Sequence, residues 1–374
     1  MRAGMKPIRT SITLYMMKPD KHVLSRSFIK AGTASANGET VLAQHRRVRL
    51  WIFVSAVLLL FLLLASIRYG SVFMEFSVFC HALRGDVGYE TQRIILYAVR
   101  IPRSIAGLLA GVGLSLSGLL LQTVTDNALA GPNIIGVNAG AGFACVAALS
   151  FFPVFAARPA GIALAAFLGA FLTTLLIVLL AVRSMQSRSA VILAGVAVTS
   201  ILNAAISCLT LLDTDILSAY NAFSVGGFSG IRMEQLSVPA AVIFGSLFLA
   251  LLIAPRTAVL CIGDSAASLL GIGVRHLRLI CILCASASAA AVVSFAGLLG
   301  FVGLIVPHMA KKLSGIHGGV SLTVLCVLLG GCVTVAADLI GRILFPPTEI
   351  PVGIMMAFIG GPFFIGLLWK RRHG

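Results

Sequence analysis

Residues Val48–Ile67 read VRLWIFVSAVLLLFLLLASI. The run matches the ~20 residues an α-helix needs to cross a hydrocarbon core. It is too long for the apolar centre of a signal peptide and has no small-residue cleavage site behind it, which predicts a retained membrane helix. Working outward, further apolar stretches lie at 104–123, 134–152, 161–182, 191–212, 236–254, 279–297, 298–309, 320–344 and 352–369. The stretch 298–309 is too short to cross alone and has to borrow residues from its neighbours. Composition agrees: of 374 residues 59% are hydrophobic and 11% charged, with mean hydropathy +1.04. Soluble domains carry about 25% charged residues, so that class is excluded. The expected fold is an all-α polytopic membrane protein with about ten transmembrane helices.

Charge sets the expected orientation. The chain has 28 Lys and Arg against 12 Asp and Glu, a net +16. In a soluble protein this balance would suggest nucleic acid; beside membrane spans it follows the positive-inside pattern, and no nucleic-acid partner is expected. Ten basic residues stand at or before Arg49, and Lys370, Arg371 and Arg372 follow the last apolar stretch. Both termini are therefore expected on the cytoplasmic side, which requires an even number of spans. The connections 124–133, 183–189, 255–278 and 311–319 fall on the same side and carry Arg183, Arg188, Arg256, Arg275, Arg278, Lys311 and Lys312. Residues 1–47 read as a basic, poorly ordered cytoplasmic tail, and 48–374 as the transmembrane domain.

Ionisable residues inside spans are costly and form the first set of functional candidates. Asp338 stands one helical turn before Arg342, which predicts a charge pair; its functional reading is proton or ion coupling. His308 lies beside Lys311 and Lys312 and reads as interfacial or packing. Cys281 and Cys284 form a C-x-x-C within a span and read as buried small apolar side chains. The chain has no Gly-Lys pair and hence no phosphate cradle of the G-x-x-x-x-G-K type, and no zinc or nucleophile motif, so neither catalysis nor a metal site is expected. Gly107/Gly111, Gly136/Gly140 and the run Ala285–Ala291 have helix-packing spacing. LAGVGLSLS at 109–117 and LAGVAVTSI at 193–201 are faintly alike.

Two surface features stand out. Within GDSAASLLGIGVRHLR, Asp264 and Ser265 can cap a short helix that Ala266–Leu270 extend and Gly271–Gly273 end, a docking element for a soluble partner. At the opposite side Arg100 and Arg103 flank Pro102, with Arg342 at the end of another span. They read as lipid-phosphate anchors, with membrane lipid as partner, or as a positive rim for acidic residues of an external protein.

RIPRSIAGLLAGVGLSLSGLLLQ, NALAGPNIIGVNAGAG, GDSAASLLGIGVRHLR, GLLGFVGLIVPHMAKKLSG and ADLIGR…PPTEIPVGIMMAFIGGPFFIGLL, in this order, closely resemble the FecCD-type permeases, membrane subunits of ABC importers for iron-siderophores, haem and cobalamin. The resemblance covers about 100–369. It implies a type II ABC importer permease in a bacterial inner membrane, paired with a second permease subunit, either the same chain or a paralogue. Two ATPase subunits, which hold ATP and Mg2+, are implied below, and a periplasmic or lipoprotein substrate-binding protein above; no cofactor is implied on this chain. It also implies that Gly263, Asp264, Ser265, Ala266, Leu269, Leu270 and Gly271 belong to the helix that couples to the ATPase. Arg100, Arg103 and Arg342 match arginines that pair with glutamates of the binding protein, and Ser187, Arg188 and Ser189 fall at an inner gate. The PPTEIPVG segment resembles siderophore-type members more than cobalamin ones. One departure is Asn127–Pro132, NALAGP where the family often has NPLADP, which frees one φ angle and removes a charge.

Overall fold

A computed structural model of the chain describes residues 34–133, 135–158, 160–182 and 188–372. Residues Arg47–Gly374 form one compact unit. The helices are α1 (Ala34–Arg68), α2 (Phe76–Arg84), α3 (Glu90–Ile94), α4 (Ile101–Thr125), α5 (Val137–Phe151), α6 (Pro153–Ala156), α7 (Gly161–Val182), α8 (Arg188–Leu212), α9 (Thr214–Val225), α10 (Met233–Leu260), α11 (Asp264–Leu269), α12 (Val274–Ala296), α13 (Val302–Ser314), α14 (Val320–Ile343) and α15 (Val352–Arg372). A π-helical stretch, Ile95–Arg100, joins α3 to α4. Among the described residues the one β pairing is a bridge from Phe345 to Thr348. Among the described residues seven helices are long and apolar enough to cross a membrane, and Val137–Phe151 and Val352–Gly366 are shorter apolar ones. With α13 these elements correspond to the ten expected spans, and the fold is an all-α polytopic bundle.

The boundaries differ where local chemistry overrides hydropathy. Helix α1 begins at Ala34, inside the stretch expected to be a tail. The expected span 298–309 is instead α13, four residues later. Gly297 takes φ 68° and Phe301 φ 65°, and the Leu298 amide donates to the Phe223 carbonyl at 3.2 Å. Residues 298–301 are thus spent on a crossing between helices. Helix α10 continues through Pro255 to Leu260, which shortens the connection expected at 255–278. The NALAGP turn is closed by Asn127, whose side-chain oxygen accepts from the Leu129 amide at 2.9 Å.

Helix α4 is the centre of the bundle. In the span Glu90–Thr125, 89% of the most apolar window is buried, against 17% in Arg46–Arg68. Lipid supplies no hydrophobic force between helices, so close backbone approach has to hold them together. A Cβ on Gly118 would stand 1.7 Å from the Gly303 carbonyl oxygen, and one on Gly111 2.3 Å from that of Gly330. Hydroxyls fill the remaining gaps: Thr334 donates to the Gly107 carbonyl at 2.7 Å, and Ser288 to that of Gly113 at 3.1 Å. The related segment 193–201 on α8 has the opposite environment, with Leu193, Val196 and Ile201 exposed. The same small-residue pattern thus makes a core in one helix and a surface in the other.

Gly118→Ala should therefore lower stability in detergent by about 1–3 kcal/mol or more, because the added methyl meets backbone rather than a movable side chain. Gly245→Ala on α10, where nothing lies within 4 Å of the new Cβ, should be neutral or gain up to ~1 kcal/mol from helix propensity. Thermal unfolding of the two variants checks the contrast.

Candidate functional site

Polar chemistry concentrates at the two ends of the bundle. At one end lie the C-termini of α1 and α14 and the start of α4. The last residues of α1 leave carbonyls without intrahelical partners. Arg100, at the end of the π-helical stretch, donates to the carbonyls of Ile67, Arg68 and Val72 at 3.2, 2.6 and 2.6 Å. Arg342 donates to those of Ser66 and Tyr69 at 3.1 and 3.4 Å. Two guanidinium groups from other helices thus cap α1, where the helix dipole also favours a cation.

The third arginine completes a network. Arg103 binds Asp338 through Nε and Nη2 at 2.9–3.2 Å and Glu349 through Nη1. The expected Asp338–Arg342 pair is present, at 3.1 Å. Asp338 and Arg342 are each 2% exposed. Burial raises the pKa of Glu349, but hydrogen bonds from Arg103 and Ser71 and the charges of Arg103 and Arg342 bring it below the usual glutamate value. Sequence reasoning did not single out Glu349, although it lies in the PPTEIPVG segment.

The three arginines expected to form a positive rim are buried in this structure. Arg100 and Arg103 are 4% and 5% exposed, and all three guanidinium groups are occupied by α1 carbonyls or by carboxylates of the same chain. Both carboxylate oxygens of Asp338 are held by Arg103 and Arg342.

At the other end of the bundle, α10 turns through Gly263, at φ 134°, into α11. Asp264 is the first residue of this helix and Gly263 holds the N-cap position; the Asp264 carboxylate accepts from Arg278 Nη2 at 2.8 and 2.9 Å. The cap position expected for Asp264 thus falls to Gly263, and the aspartate ties α11 to α12. Ala267 is buried, while Ile262, Leu269 and Leu270 are 76%, 88% and 69% exposed. Gly271, at φ 75°, reverses the chain. Cys261, just before α11, donates to the His317 carbonyl at 3.4 Å, which links the helix to the turn before α14. Nearby, Lys311 donates to Gln122 at the end of α4 at 3.1 Å.

Of the remaining candidates, Ser187 lies outside the described residues. Arg188 and Ser189 begin α8, and their side chains also lie outside the description. His308 packs edge-on against Phe363, with ring centroids 5.9 Å apart. Cys281 and Cys284 are buried free thiols. Among the described residues no group of His, Cys, Asp and Glu could hold a metal ion.

Two predictions follow from the arginine network. Asp338→Asn leaves two buried guanidinium groups short of a counter-charge and should cost about 3–5 kcal/mol, read as a lowered unfolding temperature in detergent. The folded pKa of Glu349 is depressed, so its contribution is complete above the unfolded value of about 4.3 and is lost as pH falls through the folded one. Glu349→Gln should therefore flatten the acid limb of the stability–pH curve and leave its neutral limb parallel to that of the unsubstituted protein.

The sequence profile of the FecCD transport family matches residues 58–370. The chain is 31% identical to the Fe(3+)-citrate import system permease protein YfmE of Bacillus subtilis, over 87% of this chain and 96% of that one. It is 29% identical to the hemin transport system permease protein HmuU of Yersinia pestis, over 87% and 97%, and 36% identical to the cobalamin import system permease protein BtuC of Halobacterium salinarum, over 76% and 75%. A solved structure described as an inward-facing conformation of a metal-chelate type ABC transporter superposes with TM-score 0.75 at 28% identity, covering 86% of this chain and 99% of that chain. With a profile match over most of its length and a relative above 30% identity aligned almost throughout, this multi-pass membrane chain belongs to the FecCD transport family.

Proposed function

We propose that the chain is the permease subunit of an ATP-driven importer and carries a metal chelate, specifically a ferric siderophore, across the cytoplasmic membrane by alternating access. The observation that carries this reading is α11. A six-residue helix at the end of the bundle keeps Leu269 and Leu270 in solvent while an ion pair to Arg278 fixes its direction. Exposed leucines on a braced helix suit a groove on a soluble partner. In this reading α11 faces the cytoplasm and docks on an ATPase subunit that holds ATP and Mg2+. Nucleotide-driven closure then pushes on α11, and its ties to Arg278 and the His317 turn pass the displacement into α12 and α14. The chain itself supplies no catalytic group.

The second partner is a second permease subunit, and α8 supports that. The exposed residues of the span in α7 and of the described part of α15 are apolar or glycine, as lipid requires. Helix α8 instead exposes Ser200, Asn203 and Ser207, which lie within one helical stripe. The serine hydroxyls return to carbonyls one turn back at 2.9 and 3.0 Å, but an amide such as Asn203 is costly in hydrocarbon. We read this stripe as the wall of a wet path shared with the partner permease. A neutral wall of hydroxyl and amide groups suits a bulky chelate whose selection is left to an external binding protein. Iron as the metal rests on the ferric citrate and hemin relatives and on the PPTEIPVG segment.

Leu269→Asp together with Leu270→Asp should abolish stoichiometric co-purification of an ATPase from the native membrane and stop uptake of a radiolabelled ferric chelate, with membrane insertion unchanged. Full ATPase recovery with that variant would overturn the role of α11. A cysteine placed at Asn203 in an otherwise cysteine-free chain should react with a water-soluble maleimide in the assembled complex, whereas one at Leu172 on α7 should not.

A further inference from the structure

The turn after α5 reads SFFPVFAAR, residues 150–158. Hydrogen bonds from the Ala157 amide to the Pro153 carbonyl at 2.9 Å and from the Arg158 amide to the Phe155 carbonyl at 3.1 Å hold it as one compact turn around α6. The turn is seated against α7: a Cβ on Gly161 would stand 2.0 Å from the Phe155 carbonyl oxygen, and the Gly161 amide donates to the Arg158 carbonyl at 2.9 Å. This rigid seat presents Phe151, Phe152 and Val154 outward, at 63%, 65% and 79% exposure. Arg158 is also exposed. Among the described residues its guanidinium has no ion pair, and the sequence has no acidic residue between Gly140 and Leu212.

Depth identifies what covers these side chains. Helix α7 has 22 residues, about 33 Å at 1.5 Å per residue, which is the thickness of a hydrocarbon core. Gly161 at its start therefore lies at the boundary between acyl chains and headgroups, and the turn seated on it lies at the same depth. Below it, Leu164, Leu168, Leu172 and Leu176 form an exposed stripe down α7, at the i, i+4, i+8 spacing of a lipid-facing side. The aromatic turn continues this apolar surface to its upper edge, where phenylalanine rings meet acyl carbons and an arginine reaches headgroup phosphates.

We infer that the turn Phe151–Arg158 is an interfacial lipid anchor, with Phe151, Phe152 and Val154 set among the first acyl carbons and Arg158 on phospholipid phosphate. The assignment rests on the membrane span of α7 and is independent of the transport reading.

The test uses the full chain in phosphatidylcholine–phosphatidylglycerol liposomes. The two native tryptophans, Trp51 and Trp369, are replaced by phenylalanine, and Phe152→Trp supplies the probe. Lipids brominated near the headgroup should quench its fluorescence more than lipids brominated near the chain end, and aqueous iodide should quench it little. Adding Arg158→Glu should weaken the shallow bromine quenching and raise the iodide quenching. Strong iodide quenching with no bromolipid quenching would place the turn in water as a surface for a soluble protein and overturn the proposal. The unsubstituted chain gives a second readout. A phospholipid with a photoreactive group near the glycerol should label the 151–158 peptide, and labelling confined to other segments would overturn the assignment as well.

Discussion

How closely other helices approach α4 governs the rest of the bundle. In water, apolar side chains would drive association; in lipid that force is absent, and van der Waals contact and hydrogen bonding between backbones replace it. Gly111 and Gly118 bring the carbonyls of Gly330 and Gly303 within reach of the α4 backbone. Thr334, Ser288 and Cys326 then donate to α4 carbonyls at Gly107, Gly113 and Ser115. Each donor needs the close approach that the glycines permit. The α4 core is thus one interdependent set of contacts in which side-chain size and hydrogen bonding cannot be separated.

The arginine end obeys a different constraint, that buried charge must be matched. Three arginines enter the network and two carboxylates answer them, so the side chains alone leave a positive excess. The balance comes from backbone: the unpaired carbonyls at the end of α1 carry partial negative charge, and Arg100 and Arg342 are aimed at them. Asp338 is shared between Arg103 on α4 and Arg342 on its own helix, so α1, α4 and α14 meet at one electrostatic centre. Glu349 extends that centre to the loop before α15, where it is partly exposed. These charges act first as internal joints of the bundle.

Much of this fold was legible in the sequence because hydropathy reports which segments must leave water. Nine of the spans lie close to where apolar runs place them. The exception, α13, was displaced because Gly297 and Phe301 adopt positive φ and spend Leu298–Phe301 on a crossing, a matter of backbone geometry that hydropathy does not register. The Asp338–Arg342 pair was legible because i,i+4 spacing fixes neighbours on a helix. The burial of Arg100, Arg103 and Arg342 was not, since it depends on backbone carbonyls 28–33 residues from Arg100 and 273–276 from Arg342, and on carboxylates 235 and 246 residues from Arg103. The start of a short helix near Asp264 was legible from its position after Gly263, but the pairing of its carboxylate with Arg278, fourteen residues on, was not. The polar stripe of α8 was present in the sequence as Ser200, Asn203 and Ser207, yet only its exposure in the folded bundle distinguishes it from an internal helix contact.

The packing also divides the bundle by what can slide. Helices α4, α13 and α14 touch backbone to backbone at Gly118–Gly303 and Gly111–Gly330, and α5 and α7 do so at Gly140 and Gly169, where an added Cβ would stand 2.5 Å and 2.4 Å from the other residue's carbonyl oxygen. Interfaces of this kind have no rotamers to repack, so sliding along them would break the contact outright. Helix α8 is less enclosed: only 17% of its apolar window is buried, and it meets Gly142 through the side chain of Ile206. Short helix α9 follows it and meets the rest of the bundle near Gly226 and Gly297, both at positive φ. Helix α8, which carries the exposed polar stripe, is therefore among the elements least bound to the core, as α1 is. A bundle of this design can change shape along that stripe while the α4 core and the arginine joint at its end stay intact.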